Sequence, residues 1–181
     1  MKLYCAPRGG VNGSEAVYSL LAYAFRTEYS EKLPVIAKTP NGKPYFQEIR
    51  DIHFSLSHSA THVFCALSDS PVGADIESPR QISTRALKFF CSSEELALFD
   101  PLDLWVLKES YLKLIGATLP EMRSIKFSLD NGKIVAPEES VISKLYGIDG
   151  CRAAVSAYNI TPPDSIELLS HSLEHIIGSF E

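Results

Sequence analysis

Val72-Gly73-Ala74-Asp75-Ile76-Glu77 is the stretch from which the fold is read. Val72, Ala74 and Ile76 alternate with Gly73, Asp75 and Glu77, the period-two pattern of a strand with one apolar face and one face carrying two carboxylates. Further along, Trp105-Val106-Leu107-Lys108-Glu109-Ser110-Tyr111-Leu112-Lys113 sets Trp105, Glu109 and Lys113 at i, i+4 and i+8, one stripe of a helix. A strand offering two carboxylates and a helix offering a third, with a lysine one turn on, suits a hard divalent cation held against a phosphate. Three carboxylates drawn together resist ionising unless a cation sits among them. The competing reading makes Asp75 and Glu77 a solvated strand end and pairs Glu109 with Lys113 across one helical turn.

Outward from that strand, the pattern upstream is also β. Ile52, Phe54 and Leu56 alternate with His53, Ser55 and Ser57, which predicts a half-buried strand ending at Ser57-His58-Ser59. A second strand over His62 to Ser68 and the turn Ser70-Pro71 lead into residues 72–77, so an antiparallel meander is expected. Ser14 can cap a helix over 15–28 with Val17, Leu20, Leu21, Ala24 and Phe25 on its apolar side. Leu33 to Lys38 reads as a strand before the turn Thr39-Pro40-Asn41-Gly42-Lys43-Pro44.

Downstream of Pro79, residues 83–90 read as a helix and Ser92 with Glu95 as a capping box. Asp100-Pro101 opens the main helix, whose apolar side is Leu104, Leu107, Tyr111, Leu114 and Ile115 and whose stop is Gly116. An Asn131-Gly132 hairpin and strands over 152–160 and 165–169 follow, and the last dozen residues read as a short exposed helix. A helix, a strand and Asn-Gly-Lys occur twice, at 15–43 and at 101–133. This echo suggests two similar halves about a pseudo-twofold axis, with their junction near 70–80.

Composition excludes several classes. The 181 residues carry a net charge of −5, so no global basic field points to nucleic acid or anionic lipid. The start of the chain lacks the apolar region of a signal peptide, and no apolar run is long enough to span a membrane. Cys5, Cys65, Cys91 and Cys151 lie far apart without Cys-x-x-Cys spacing, as expected of free thiols in a reducing cytoplasm.

The remaining motifs fit phosphate chemistry. Ser57-His58 lacks the Gly-x-Ser-x-Gly elbow of a hydrolase, and adjacent strand residues face opposite ways, so His58 suits a phosphate, with Ser57 or Ser59 donating hydroxyls. The alternatives are a strand-end histidine satisfied by backbone, or His58 and His62 as a zinc pair. Gly42-Lys43-Pro44 is no P-loop, yet a rigid turn that aims one lysine can clamp a phosphate.

In order, these pieces are Gly42-Lys43-Pro44, Phe54-Ser55-Leu56-Ser57-His58-Ser59, Gly73-Ala74-Asp75-Ile76-Glu77, Phe89-Phe90 with Glu94-Glu95, and Trp105-Val106-Leu107-Lys108-Glu109-Ser110-Tyr111-Leu112-Lys113. That order resembles the Sfp-type 4′-phosphopantetheinyl transferases over residues 40–130. The resemblance implies an α+β pseudo-dimer of two similar αβ halves with antiparallel strands, divided here into 1–72 and 73–181. It implies transfer of phosphopantetheine from coenzyme A to a serine of an acyl or peptidyl carrier protein, with 3′,5′-ADP leaving. Asp75, Glu77 and Glu109 then correspond to a Mg²⁺ site, and Glu109 is also the base for the carrier serine. Lys113 would hold the pyrophosphate or aid the leaving group, and Lys43, Ser57 and His58 would contact coenzyme A phosphates. Lys108 has no assigned role.

Three departures stand out. The stretch before the first helix is shorter than is usual in that family. The basic cluster that grips the nucleotide end of coenzyme A is reduced to Arg8 and Arg26. Gly116-Ala117-Thr118-Leu119 replaces a Gly-x-Gly-Leu loop near the carrier. A pseudo-dimer within one chain is expected to be a monomer. A member that binds coenzyme A or a carrier without turnover, and an unrelated Mg²⁺-dependent phosphohydrolase, are the other functional expectations.

Overall fold

Val72–Glu77 is a strand, but its hydrogen-bonded partner is not the strand before it. The computed structural model describes residues 1–170. The helix expected over the last dozen residues falls outside this range, apart from its first residue. In chain order the elements are β1 (Lys2–Pro7), α1 (Gly13–Tyr29), β2 (Ile36–Lys38), β3 (Pro44–Phe46), β4 (His53–His58) and β5 (His62–Ser68). Then come β6 (Val72–Glu77), α2 (Thr84–Phe90), α3 (Ser93–Leu96), α4 (Pro101–Ile115) and a 3₁₀ turn (Leu119–Ser124). The chain continues through β7 (Ser128–Asp130), β8 (Lys133–Val135), β9 (Val141–Ile148), β10 (Cys151–Tyr158) and β11 (Glu167–Leu168).

One sheet has the order β11-β1-β5-β4, and a second has the order β6-β10-β9. The expected meander therefore stops at β5. β6 pairs antiparallel with β10, Asp75 opposite Ala154 and Glu77 opposite Arg152. The two sheets lie face to face. Leu3, Cys5, Phe64 and Ala66 of the first meet Val72, Ala74 and Ile76 of β6 and Ala153 and Val155 of β10 in one buried cluster. This explains why β6 turned away from β5: its apolar face is buried between the sheets rather than against solvent.

Each sheet carries a long helix on its outer side. Val17, Leu20, Leu21, Ala24 and Phe25 of α1 are buried against Tyr4, Val63, Cys65 and Leu67. Leu104, Leu107, Tyr111 and Leu114 of α4 form a second outer core with Ala154 and Phe127. The sequence places both stripes correctly, except that Ile115 is 40% exposed. The cap of α1 is Asn12 rather than Ser14, since the Asn12 side chain accepts the Ser14 N–H at 3.0 Å. Asp100 caps α4, and Gly116 ends it in a left-handed conformation at φ 72°.

The β4 strand is another correction. Two of its polar residues do not face water: Ser55 and Ser57 are buried against β6. Ser55 Oγ accepts the Ala74 N–H at 2.9 Å, and Ser57 Oγ accepts the Ile76 N–H at 3.3 Å. Two serines thus satisfy donors of β6 across the gap between the sheets, where an unpaired N–H would be costly. The order strand, helix, small hairpin, strand, strand recurs, as β1-α1-β2-β3-β4-β5 and as β6-α4-β7-β8-β9-β10 with α2 and α3 inserted. In both sheets the first strand pairs with the last, which pairs with the one before it.

Candidate active site at the seam of the two sheets

The site is built where α4 lies directly on β6. Gly73 makes this possible: a Cβ there would come within 1.9 Å of the Ser110 carbonyl oxygen and 2.4 Å of the Leu114 nitrogen. The alternation of β6 sends Gly73, Asp75 and Glu77 to that same face. The helix period brings Trp105, Glu109 and Lys113 down on them. The glycine two residues before the aspartate is therefore a contact surface for the helix that carries Glu109.

Lys113 does not pair with Glu109 across the helix turn. Its ammonium donates to Asp75 Oδ1 at 2.8 Å and to the carbonyls of Ala74 and Leu56 at 3.1 and 3.3 Å. Asp75 Oδ1 also accepts the Ser57 hydroxyl at 2.6 Å, while Oδ2 is buried with no hydrogen-bond partner. Glu77 is held by Arg80, whose Nε and Nη2 donate to its two oxygens at 3.1 and 3.0 Å. Burial, and then the charge of Asp75, raise the Glu109 carboxyl to about 7; Lys113 and Arg80 pull the other way and Glu77 adds to the rise. The solvated-end reading of Asp75 is thus set aside, since its side chain is only 7% exposed.

The fit to a hard cation follows from the donors. Asp75, Glu77 and Glu109 offer oxygen ligands, they share one electrostatic field, and a buried Asp75 oxygen is left without a partner. As they stand, no three His, Cys, Asp or Glu side chains among the described residues converge closely enough to hold a metal ion.

The expected phosphate-binding residues divide into two places. Lys43 and Lys113 line one cavity of about 220 Å³ together with Gly42, Ser55, Leu56 and Gly116. The β2–β3 turn is pinned onto the end of α4: Asn41 Nδ2 donates to the Gly116 carbonyl and Lys43 Nζ to the Leu114 carbonyl, both at 2.9 Å. Burial pulls the Lys43 ammonium down to about 8. The Ser57 hydroxyl donates a hydrogen bond to Asp75 Oδ1. His58 stands apart, exposed at the end of β4 with its ring against Gly13, the first residue of α1. The ring therefore sits beside a helix N-terminus, where free N–H groups favour anions. His62, the other half of the zinc reading, lies elsewhere, its Nδ1 at 2.9 Å from Thr61 Oγ1 and 3.5 Å from Cys151 Sγ.

Sequence reasoning missed Arg80. Its guanidinium holds Glu77 and lies over the Trp105 ring at 5.0 Å from the centroid. The available signal is a basic residue three positions after Glu77, in the loop that Pro79 marks. Lys108, without a role in the sequence, is fully buried and donates to the Phe90 carbonyl and to Glu95, 2.9 Å from its Oε1.

Residues 71–155, which contain both the β6 carboxylates and α4, match the 4′-phosphopantetheinyl transferase superfamily. The chain is similar in sequence to Sfp-type members of that superfamily. It is 29% identical over 153 residues to the 4′-phosphopantetheinyl transferase Sfp of Bacillus subtilis, covering 72% of this chain and 66% of that protein. It is 40% identical over 89 residues to the transferase gsp of Aneurinibacillus migulanus, covering 44% of this chain and 37% of that protein. For psf-1 of Bacillus pumilus the figures are 38% over 86 residues, 42% and 37%. The chain thus spans less than two thirds of the length of these curated relatives.

Proposed function

We propose that this chain transfers the 4′-phosphopantetheine group of coenzyme A to a serine of an acyl or peptidyl carrier protein, with Mg²⁺ as cofactor and release of 3′,5′-ADP. The observation that carries the reading is the close packing of α4 on Gly73. It gathers Asp75, Glu77, Glu109 and Lys113 within the very segment that matches the superfamily. We further read the molecule as a pseudo-dimer of halves 1–72 and 73–181, supported by the repeated strand order of the two sheets. The division falls one residue inside β6. β11 returns to the first sheet by pairing with β1, which ties the halves together. A reducing cytoplasm and a monomeric state complete the reading, and the free cysteines suit that compartment. Among the described residues no helix is long and apolar enough to cross a membrane.

The residues divide the work as follows. Asp75, Glu77 and Glu109 would hold Mg²⁺, which when bound supplies positive charge to the pyrophosphate oxygens. Glu109 takes the proton of the attacking carrier serine, a role that an ionised carboxylate beside the site can fill. Lys113 stabilises the leaving phosphate oxygen, and Lys43 grips the diphosphate from the other wall of the shared cavity. His58, with the N-terminus of α1, receives a further phosphate of coenzyme A. Ser57 joins only by exchanging Asp75 for a phosphate oxygen.

A second reading, a binding member without turnover, is favoured by one observation: Asp75 and Glu77 already have basic partners in Lys113 and Arg80. The two part on a simple experiment. Coenzyme A is titrated into the chain by calorimetry, and the mixture is then given Mg²⁺ and an apo carrier. Binding followed by 3′,5′-ADP in the products supports the transferase. Binding with no 3′,5′-ADP supports the second reading, and free phosphate without any carrier would point to a phosphohydrolase.

A further inference from the structure

We propose that Arg80 is a built-in competitor for the metal site: its guanidinium must leave Glu77 and the face of Trp105 before a divalent cation takes that carboxylate. The inference rests on the reading of Asp75, Glu77 and Glu109 as metal ligands, and it adds a positioning residue that the motif itself does not contain.

The geometry is that of a clasp with two attachments. Two parallel N–H···O bonds, at 3.1 and 3.0 Å, occupy both oxygens of Glu77. Such a fork fixes direction as well as charge, so the carboxylate is aimed at Arg80. The same guanidinium lies over the Trp105 ring at 5.0 Å, and Trp105 is braced edge-on by Phe90 at 5.0 Å between centroids. Cation–π attraction to a fixed indole holds the arm in place while leaving it partly in solvent, with 43% of its side chain exposed. The arm supplies Glu77 with the positive charge that a cation would otherwise bring. A divalent ion approaching Glu77 meets a guanidinium already bonded to both oxygens, and the two positive charges repel. The arm hangs on the loop after β6, where Pro79 and Arg80 are exposed, so release costs little packing.

The consequence is a metal affinity set below what the carboxylates alone would give, and an optical report of release. Trp105 is the only tryptophan of the chain, so its fluorescence reads the indole face directly. The test is to titrate Mg²⁺, in separate calorimetric and fluorescence experiments, into the full chain and into Arg80→Gln and Arg80→Lys. Arg80 is exposed, and circular dichroism checks that each variant folds. In the unaltered chain a saturable change in Trp105 emission is expected to accompany Mg²⁺ binding. Arg80→Gln is expected to bind Mg²⁺ about three- to tenfold more tightly, the range that a partly exposed ion pair with a stacked guanidinium is worth. It should also lose most of the emission change. Arg80→Lys, which keeps charge but not the fork, should fall between. Unchanged or weaker Mg²⁺ binding by Arg80→Gln overturns the inference. If in that case Asp75→Asn still abolishes binding, the metal reading survives without it. If Mg²⁺ binds to none of these proteins, the metal reading itself fails and the inference falls with it.

Discussion

Gly73 decides the site by lacking a side chain. Replacing it with alanine sets a methyl group within 1.9 Å of the Ser110 carbonyl oxygen, so α4 must lift from β6. Overpacking of this kind costs roughly 1–3 kcal/mol, and here it would move Glu109 and Lys113 off Asp75. Gly73→Ala is therefore expected to lower the urea midpoint and to reduce transfer activity together; activity kept at the unaltered level would show that the close approach is not needed. Lys43 carries a pH dependence. Its folded value, about 8, lies below the ordinary 10.5. Between the two the unfolded chain binds more protons, so the Lys43 contribution makes stability rise as pH climbs through that window. Urea melts between about pH 8 and pH 10 should show a steeper rise for the unaltered chain than for Lys43→Met. Equal slopes would mean that Lys43 titrates as an exposed lysine. At this scale the sequence named Asp75, Glu77, Glu109 and Lys113 as one group, because strand and helix periods put each on a definite face. It could not show that Lys113 would choose Asp75, since that depends on how two distant elements dock.

Among the elements, α4 matters most, and its anchor is a buried ion pair one residue from Glu109. Lys108 and Glu95 are almost wholly inaccessible. Burial opposes ionisation of Glu95, but hydrogen bonds from Lys108, Phe127 and Ser92 outweigh it and hold its carboxyl below the usual range. Glu95 closes the capping box of α3, accepting the Ser92 N–H at 3.0 Å. It also takes the Phe127 N–H at 3.1 Å. Removing one member strands the other charge, which costs about 3–5 kcal/mol. Lys108→Met is expected to lose stability of that order in urea denaturation, and a loss below about 1 kcal/mol would mean that Lys126, 3.3 Å from Glu95, can stand in. The capping box was legible because it is local, Ser92 and Glu95 being three residues apart. The pairing with Lys108 has no local signature. β1 and β9 were missed for related reasons. β1 has four consecutive buried residues and no alternation, being covered on both faces. In β9 the buried positions include Ser143, and Gly147 interrupts the pattern.

For the molecule as a whole, the echo of helix, strand and Asn-Gly-Lys pointed to a real regularity. Both Asn-Gly-Lys stretches lie at hairpin turns, between β2 and β3 and between β7 and β8. Both follow a long helix on the outer side of a sheet. What the sequence could not give was the face-to-face arrangement, since an alternating strand signals one apolar face but not which sheet covers it. The seam that results is where β4 serines reach β6 and where the two lysines of the shared cavity meet. On the proposed function, substrate handling by the first sheet and proton transfer from α4 would be joined at this one place.

That union is tested most directly by mass. An apo carrier protein is incubated with coenzyme A, Mg²⁺ and the chain, and the intact carrier is weighed. The expected result is a gain of one phosphopantetheine per carrier, with a rate at least about 10²-fold lower for Glu109→Ala while its circular dichroism is unchanged. No mass gain on either an acyl or a peptidyl carrier, or full activity in Glu109→Ala, would contradict it.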